Sequence, residues 1–270
     1  MIRRYALFAV LFVALLIPGI LSVIENADQP LLGFSHDDGI YWVTAKAIAN
    51  GSGYRILNLP DQPYQTKYPP LFPAYLSLAW LLNPDFPSNL RIASWMQFLW
   101  LPLLLALSLW HWQHWGVTGW RRWLLAAVLA TNAYVHFFSM ALMSELPFTC
   151  LVLASLLLLE RARDNRWIIA AALMAAAAFL TRTAGIALLV TVPAVLYLQA
   201  KRKQAALFAA VMAPFVLAWF ASVVPFFVCS RYRLPITPLL PLFALLPVEE
   251  GWRRYREKRW ASLRLNEARW

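Results

Sequence analysis

The sequence predicts an all-α polytopic membrane protein with about eight transmembrane helices. Of its 270 residues 61% are hydrophobic and only 14% are charged, which gives a mean hydropathy of +0.56. A soluble domain has a far more polar composition. Several apolar runs approach the ~20 residues that cross a ~30 Å hydrocarbon core as a helix. The basic residues are also unevenly shared among the loops between those runs.

The first apolar run, Tyr5–Val23, follows Arg3 and Arg4 and so resembles a signal peptide. No small-x-small cleavage site comes after it, and we therefore expect a retained anchor. A later run, Trp167–Leu198, is interrupted by Thr181-Arg182-Thr183, and we expect two short helices there, with one tilted helix as the alternative. The further predicted spans are Ile92–Leu109, Trp123–Leu142, Leu146–Leu159, Trp167–Leu180, Ala184–Leu198, Ala205–Phe227 and Leu234–Leu246.

The apolar segment Leu71–Leu82 decides the topology. As a helix its ~12 residues reach only ~18 Å, too short to cross the membrane. If it stays at the interface, 17 of the 24 lysines and arginines fall on one side together with both termini, and seven fall on the other. The positive-inside rule then makes both termini cytoplasmic. The expected location is the cell (inner) membrane, with multiple passes.

This topology divides the chain into two parts. Residues 1–248 are expected to form the transmembrane domain, whose outer-face loop at 24–90 carries two juxtamembrane helices, Gly39–Ala49 and Leu71–Leu82. Residues 249–270 are expected to form a basic amphipathic cytoplasmic tail in which Trp and Arg alternate, a pattern suited to anionic lipid headgroups. We do not expect nucleic-acid binding, because a tail that follows a membrane span has its charge explained by topology.

The outer loop contains His36-Asp37-Asp38, the paired carboxylates of a chain that is otherwise nearly all apolar. Asp37 could cap the following helix, or it could act as a general base if it faces solvent near an acceptor hydroxyl. His36 with two carboxylates could bind a divalent metal, but this side of the membrane has no other histidine to complete the site. We therefore predict no metal and no cofactor.

Lys67 in the same loop and four other parts of the chain bring further charged residues to this predicted face. Ionisable residues at membrane boundaries often mark ligand pathways, although each cation taken singly could be an interfacial side chain that extends to the headgroups. Lys67 together with the arginines near the last span suits a phosphate. The residues are Lys67, Arg91, Glu145 (after Ser144), Arg182, and Arg231-Tyr232-Arg233.

These residues resemble the GT-C fold glycosyltransferases, specifically the glycosyltransferase 39-like group that includes protein O-mannosyltransferases and the aminoarabinose transferase acting on lipid A. No single motif is specific, but the order and predicted side of all of them agree with the family. The matching elements are His36-Asp37-Asp38-Gly39-Ile40-Tyr41, Ala45, Gly51-Ser52-Gly53-Tyr54, Lys67-Tyr68-Pro69-Pro70-Leu71-Phe72-Pro73, Leu90-Arg91, Ser144-Glu145, Leu180-Thr181-Arg182 and Arg231-Tyr232-Arg233-Leu234-Pro235.

The resemblance implies transfer of a sugar from a polyprenyl-phosphate carrier to an acceptor hydroxyl on the outer face, with inversion. Asp37 maps to the expected general base, with Asp38 beside it, and Glu145 maps to a second acidic position on the acceptor side. Lys67, Arg91, Arg231 and Arg233 map to groups that hold the donor phosphate. The candidate pocket residues are His36, Tyr41, Tyr68, Arg182 and Tyr232.

The resemblance does not identify the sugar, and the acceptor could be a glycan, a lipid or a protein. The chain is also unusually short, since family members usually have more spans. A non-catalytic protein that binds or transports polyprenyl phosphate is the alternative function, because it would need the same pocket without Asp37 as a base. A membrane scaffold is a third reading, which would leave the outer charges scattered.

Overall fold

The computed structural model describes the backbone of residues 2–26 and 32–231 and the side chains of residues 6–26 and 32–223. Within these ranges the chain forms only helices, with no strand. The side-chain contacts discussed below lie in one compact unit that ends at Ser222. The helices are α1 (Ile2–Asn26), α2 (His36–Ala49), α3 (Leu71–Leu82), α4 (Asn89–Phe98), α5 (Trp100–His114), α6 (Trp120–Thr131), α7 (Ala133–Phe138), α8 (Glu145–Glu160), α9 (Asn165–Thr181), a 3-10 turn (Thr183–Gly185), α10 (Ile186–Leu198) and α11 (Arg202–Arg231).

In the described part of the chain three helical segments are long and apolar enough to cross a membrane, which is consistent with the predicted membrane protein, and the all-α class is confirmed. They are Ala6–Asn26, Asn89–His114 and Arg202–Val223, and they coincide with the first, second and seventh predicted spans. The number of eight spans and the cytoplasmic termini remain predictions. The last predicted span, Leu234–Leu246, and the basic tail at 249–270 lie outside the described residues.

The predicted span Trp123–Leu142 is not one helix. The chain leaves helical geometry at Asn132, which has an extended backbone with ψ of 126°. The side-chain oxygen of Asn132 accepts hydrogen bonds from the backbone N–H groups of Tyr134 and Val135, at 3.0 and 3.2 Å, and so starts the short helix α7. Asparagine is one of the preferred N-caps because its short side chain can satisfy these free N–H groups.

The irregular segment between α7 and α8 is stabilised by Gln97 of α4. Its fully buried side-chain amide donates to the backbone oxygens of Phe138 and Met143, at 2.7 and 2.9 Å. Backbone carbonyls without a partner are costly in an apolar interior, so this single glutamine makes the non-helical turn tolerable there. The turn leads directly to Ser144 and Glu145, at the start of α8.

The predicted break within Trp167–Leu198 is confirmed. Helix α9 ends at Thr181, Arg182 is extended with ψ of 135°, and one 3-10 turn leads into α10. Gly185 makes this turn fit, because a Cβ at Gly185 would lie 2.5 Å from the backbone nitrogen of Phe179. Only glycine allows the chain to return so close to the end of α9.

Helix α9 is fixed against α8 by small side chains. Ala171, Ala175 and Ala178 are fully buried, and the hydroxyl of Ser155 in α8 donates to the backbone oxygen of Ala171 at 2.8 Å. Small residues let two helix backbones approach closely, which is the usual way that helices pack in membranes. The close packing of α8 and α9 therefore fixes the position of Arg182 next to Glu145.

The outer loop contains the two predicted helices. Helix α3 has the predicted limits, and α2 begins three residues before the predicted Gly39. The two helices pack through Trp42 and Trp80, whose ring centroids are 4.8 Å apart, and the Trp80 indole N–H donates to the backbone oxygen of Trp42. Around this pair lies a buried cluster that includes Tyr41, Tyr68 and residues from α4. The two helices of the loop therefore share one hydrophobic core with α4.

Replacing Gly185 by alanine should lower the free energy of unfolding by about 1–3 kcal/mol, because the added methyl group collides with backbone atoms of α9. Thermal unfolding of the purified protein in detergent measures this. Gly39→Ala is the matched control, since a Cβ at Gly39 meets nothing within 4 Å. Equal stability of Gly185→Ala and wild type would contradict the close approach.

Candidate functional site

The two adjacent carboxylates at the start of α2 have different environments. Asp38 is fully buried, and its carboxylate accepts hydrogen bonds from the backbone N–H groups of Gly33 (3.0 Å), Ser35 (3.2 Å) and Gly39. The residue at the N-cap position is Ser35. The capping role considered for Asp37 therefore belongs to Ser35 and Asp38, and the Asp38 carboxylate is occupied in holding the loop.

Asp37, one position earlier, points to different partners. Its Oδ1 atom accepts a short hydrogen bond from the Tyr68 hydroxyl and lies 3.2 Å from Nζ of Lys67. The side chain of Asp37 is 34% exposed. No residue that the structure describes forms a hydrogen bond to its second oxygen, Oδ2. The carboxylate is thus oriented through one oxygen, and the other is available.

These contacts set the protonation state of Asp37. Partial burial alone raises the pKa of Asp37, but the hydrogen bonds from Tyr68 and Lys67 and the charge of Lys67 outweigh it, so that the pKa lies below its usual value. Burial and the hydrogen bond to Asp37 raise the pKa of Tyr68 above its usual range. At neutral pH, Asp37 is therefore ionised and Tyr68 is a neutral donor.

Residues 54–68 form a small hairpin that places Lys67 and Tyr68 next to Asp37. Tyr54 donates from its hydroxyl to the backbone oxygens of Tyr68 and Pro69, at 2.8 and 3.1 Å. The buried side chain of Gln65 accepts from the backbone N–H of Lys67 at 2.7 Å. Because the segment is held at both ends, the position of the Lys67–Tyr68 pair does not depend on Asp37 alone.

A second ion pair joins the two helical breaks described above. Arg182, just after α9, pairs with Glu145 at the first residue of α8, and the same guanidinium nitrogen lies 3.4 Å from the hydroxyl of Ser144. One oxygen of Glu145, Oε2, is buried and has no hydrogen-bond partner among the described residues. The acid at the predicted acceptor side is thus neutralised by the arginine and fixed in place.

Tyr41 connects the two ion pairs. Its hydroxyl lies 3.2 Å from that of the fully buried Ser144, and its ring centroid lies 4.7 Å from that of Tyr68. Burial raises the pKa of Tyr41 to about 12, so it also stays neutral. The sequence-predicted residues therefore form two groups, Asp37 with Lys67 and Tyr68, and Glu145 with Arg182. Tyr41 joins them through its ring contact with Tyr68 and its contact with Ser144, and we call the whole arrangement the network.

The remaining candidate residues lie outside this network or outside the described side chains. Arg91 is exposed on α4 and makes no side-chain hydrogen bond or ion pair with any described residue. His36 is exposed, and its charge lowers the pKa of Asp37 only weakly. In the described ranges no three His, Cys, Asp or Glu side chains are grouped to hold a metal. The side chain of Arg231, and both Tyr232 and Arg233, lie outside the described residues.

The sequence assigns no role to three residues that build the site. Ser144 and Tyr54 belong to motifs of the resemblance without a role of their own, and Gln65 belongs to none of these motifs. A pattern that could have found them is the density of polar and aromatic residues from Tyr54 to Tyr68, in a chain whose other loops are short. Such a loop must fold on itself, and buried tyrosines require hydrogen-bond partners.

Comparison of the chain with protein-family models, with curated proteins and with solved structures finds no match. The resemblance to GT-C glycosyltransferases therefore rests on the motifs of the sequence. The geometry of the network is independent of that resemblance.

Replacing Lys67 by methionine should raise the pKa of Asp37, because it removes both a hydrogen bond and the nearest positive charge. The carboxyl infrared band that disappears in Asp37→Asn, followed against pH, measures the change. Ionised Asp37 contributes to the free energy of unfolding, and this contribution is lost as the pH falls through the folded pKa of Asp37. The contribution should be smaller in Lys67→Met than in the wild-type protein. Lys46→Met is the control, because Lys46 lies over Trp80 at 5.0 Å; an equal shift in both variants would contradict the assignment.

The Glu145–Arg182 pair should show coupling on the order of 1 kcal/mol in a double-mutant cycle. Each single change, Glu145→Gln or Arg182→Gln, leaves one partly buried charge unpaired, and the double variant removes both charges. Thermal unfolding in detergent provides the four free energies. Glu145→Gln combined with Lys46→Gln should be additive; additivity of the Glu145–Arg182 cycle as well would rule out a stabilising pair.

Proposed function

We propose that this protein is a membrane glycosyltransferase of the GT-C type, which moves a sugar from a polyprenyl-phosphate donor to an acceptor hydroxyl at the outer face of the membrane. The observation that carries the proposal is the state of Asp37. It is an ionised carboxylate that Tyr68 and Lys67 hold through Oδ1, while Oδ2 is available to take a proton. This is the geometry that a general base requires.

In the proposed reaction the acceptor hydroxyl transfers its proton to Oδ2 of Asp37. The acceptor oxygen forms a bond to the anomeric carbon of the sugar as the bond from that carbon to the phosphate oxygen breaks. The electron pair of the broken bond leaves with the polyprenyl phosphate. Because attack and departure occur on opposite sides of the carbon, the product has the inverted configuration.

Lys67 has two proposed roles, because an ammonium group has three N–H donors and uses one of them on Asp37. The side chain of Lys67 is 60% exposed, which leaves its other donors accessible to a phosphate. As the phosphate draws Lys67 toward itself, the pKa of Asp37 rises toward its ordinary value. Donor binding would in this way make Asp37 a stronger base when the acceptor arrives.

The other candidate residues have supporting roles in the proposal. Arg182 fixes Glu145 through the ion pair, on the side that the resemblance assigns to the acceptor. Asp38 holds the loop and takes no part in proton transfer. Arg91, Arg231 and Arg233 are the further cations that the resemblance places around the donor phosphate, where fixed positive charge stabilises the leaving group.

Asp37→Asn should reduce sugar transfer by at least ~100-fold, the usual contribution of a general base. Transfer from a lipid-linked sugar to an acceptor in proteoliposomes measures it, after a screen of donors and acceptors with the wild-type protein. The matched control is Asp85→Asn in the same loop, since only backbone atoms of Asp85 take part in hydrogen bonds with other described residues. The control should keep wild-type activity.

Binding of the lipid donor distinguishes the proposed enzyme from a non-catalytic binder or transporter. In the enzyme, Asp37→Asn retains donor binding and loses transfer, because the asparagine keeps the size of the side chain. Full transfer activity in Asp37→Asn would show that Asp37 is not the general base. Donor binding by the wild-type protein, without transfer to any acceptor in the screen, would instead favour the binder.

A further inference from the structure

A second polar cluster lies at the opposite end of α8 from the candidate site. Glu160 is the last residue of α8, 15 positions after Glu145, so the two acids are separated by about 22 Å along the helix. Glu160 Oε1 accepts a hydrogen bond from the indole N–H of Trp115 at 3.0 Å and lies 3.4 Å from Nδ1 of His111. Glu160 Oε2 lies 3.9 Å from Nε2 of His114.

Two cavities meet at this cluster, and both are lined by Glu160 and His114. One, of about 570 Å³, is a groove between α8 and α10 whose walls are mainly leucine and valine. The other, of about 640 Å³, has a polar lining that includes Arg161 and Arg163. The first cavity provides an apolar arm and the second a charged arm, and the two arms share His114 and Glu160 in their linings.

The side chains that line the two cavities include charged groups of both signs. Glu160 Oε2 and His111 Nδ1 are buried and have no hydrogen-bond partner among the described residues. Arg163 and Lys201 are exposed and form no ion pair within the described part of the chain, and the guanidinium of Arg161 stacks on Trp110 at 3.9 Å. A ligand that fits must therefore offer a cation to Glu160 and an anion to the basic side chains.

We propose that these two cavities bind one membrane phospholipid whose headgroup carries both a phosphate and a primary ammonium. The hydrocarbon chain lies in the groove beside Val192 and Leu196, where it replaces water on apolar walls. The phosphate contacts Arg161 and Arg163, which can bind it through paired N–H groups. The ammonium donates to Glu160 Oε2, which accepts no hydrogen bond within the described chain and lies 3.9 Å from Nε2 of His114.

Charge complementarity favours this ligand over other amphiphiles. A purely anionic lipid satisfies the arginines but places its negative headgroup beside Glu160, where the repulsion is poorly screened. A choline headgroup carries the positive charge but has no N–H donor for the Glu160 oxygen. A small soluble anion makes no use of the apolar arm. The inference does not depend on the proposed transferase activity.

Lipid binding to the purified full-length protein tests the inference. Native mass spectrometry in detergent would compare dioleoyl phosphatidylethanolamine, phosphatidylcholine and phosphatidylglycerol as probes. We expect phosphatidylethanolamine to bind at least about fivefold more tightly than either of the others. Glu160→Gln should remove this preference, and Arg163→Gln should weaken binding of all three lipids. Arg166→Gln, in the first turn of α9 and outside the lining of both cavities, is the control and should bind as wild type.

A second variant keeps the test decisive if Glu160→Gln fails to fold. Val192→Phe fills the apolar arm and changes no charge, and it should weaken binding of all three lipids while leaving their order unchanged. Equal affinity of the wild-type protein for the three lipids would overturn the proposal. So would an unchanged preference in a folded Glu160→Gln variant, or unchanged binding in a folded Val192→Phe variant.

Discussion

The arrangement of residues 32–90 depends on the burial of one carboxylate. Asp38 has no contact with water and is satisfied by three backbone N–H groups that surround the start of α2. A carboxyl group buried in this way is tolerated only when its hydrogen bonds are complete, so the loop around it can adopt few other conformations. The direction of Asp37, the next residue toward the N-terminus, is fixed as a consequence. Two chemically identical neighbours thus acquire different roles, one structural and one available for chemistry.

The helix breaks follow the same rule and assemble the rest of the site. In an apolar interior, a helix can stop only where its free backbone groups find partners. Asn132 and Gln97 provide these partners around α7, and the returning chain carries Glu145. Gly185 allows the second break, which leaves Arg182 beside Glu145. Each break therefore leaves a charged side chain, Glu145 or Arg182, next to Ser144, whose hydroxyl contacts Tyr41 of the loop.

Helix limits that depend on composition and length could be predicted from the sequence. Helix breaks and side-chain positions that depend on a single contact could not. The limits of α3 were predicted because Pro70 and Asn83 bound an apolar run too short to cross. Hydropathy could not reveal the interruption of Trp123–Leu142, since one asparagine changes the mean of a 20-residue run very little. Nor could it distinguish Asp37 from Asp38, because a shift of one residue in the start of α2 exchanges their roles. The pairing of Asp37 with Lys67, 30 residues apart, depends on the hairpin at Tyr54, for which the sequence carries no charge signal.

The balance of charge in the network constrains how a phosphate donor can bind. Asp37 and Lys67 form one neutral pair, and Glu145 and Arg182 form another, so the described network has no net positive charge to attract an anion. A donor phosphate brings negative charge into a poorly solvated region, where it requires a cation that is not already neutralised. Lys67 can share its charge only by loosening its contact with Asp37. The remaining basic residues of the predicted outer side, above all Arg231 and Arg233, are therefore the ones on which donor affinity should depend, whereas Lys67 couples that affinity to the basicity of Asp37.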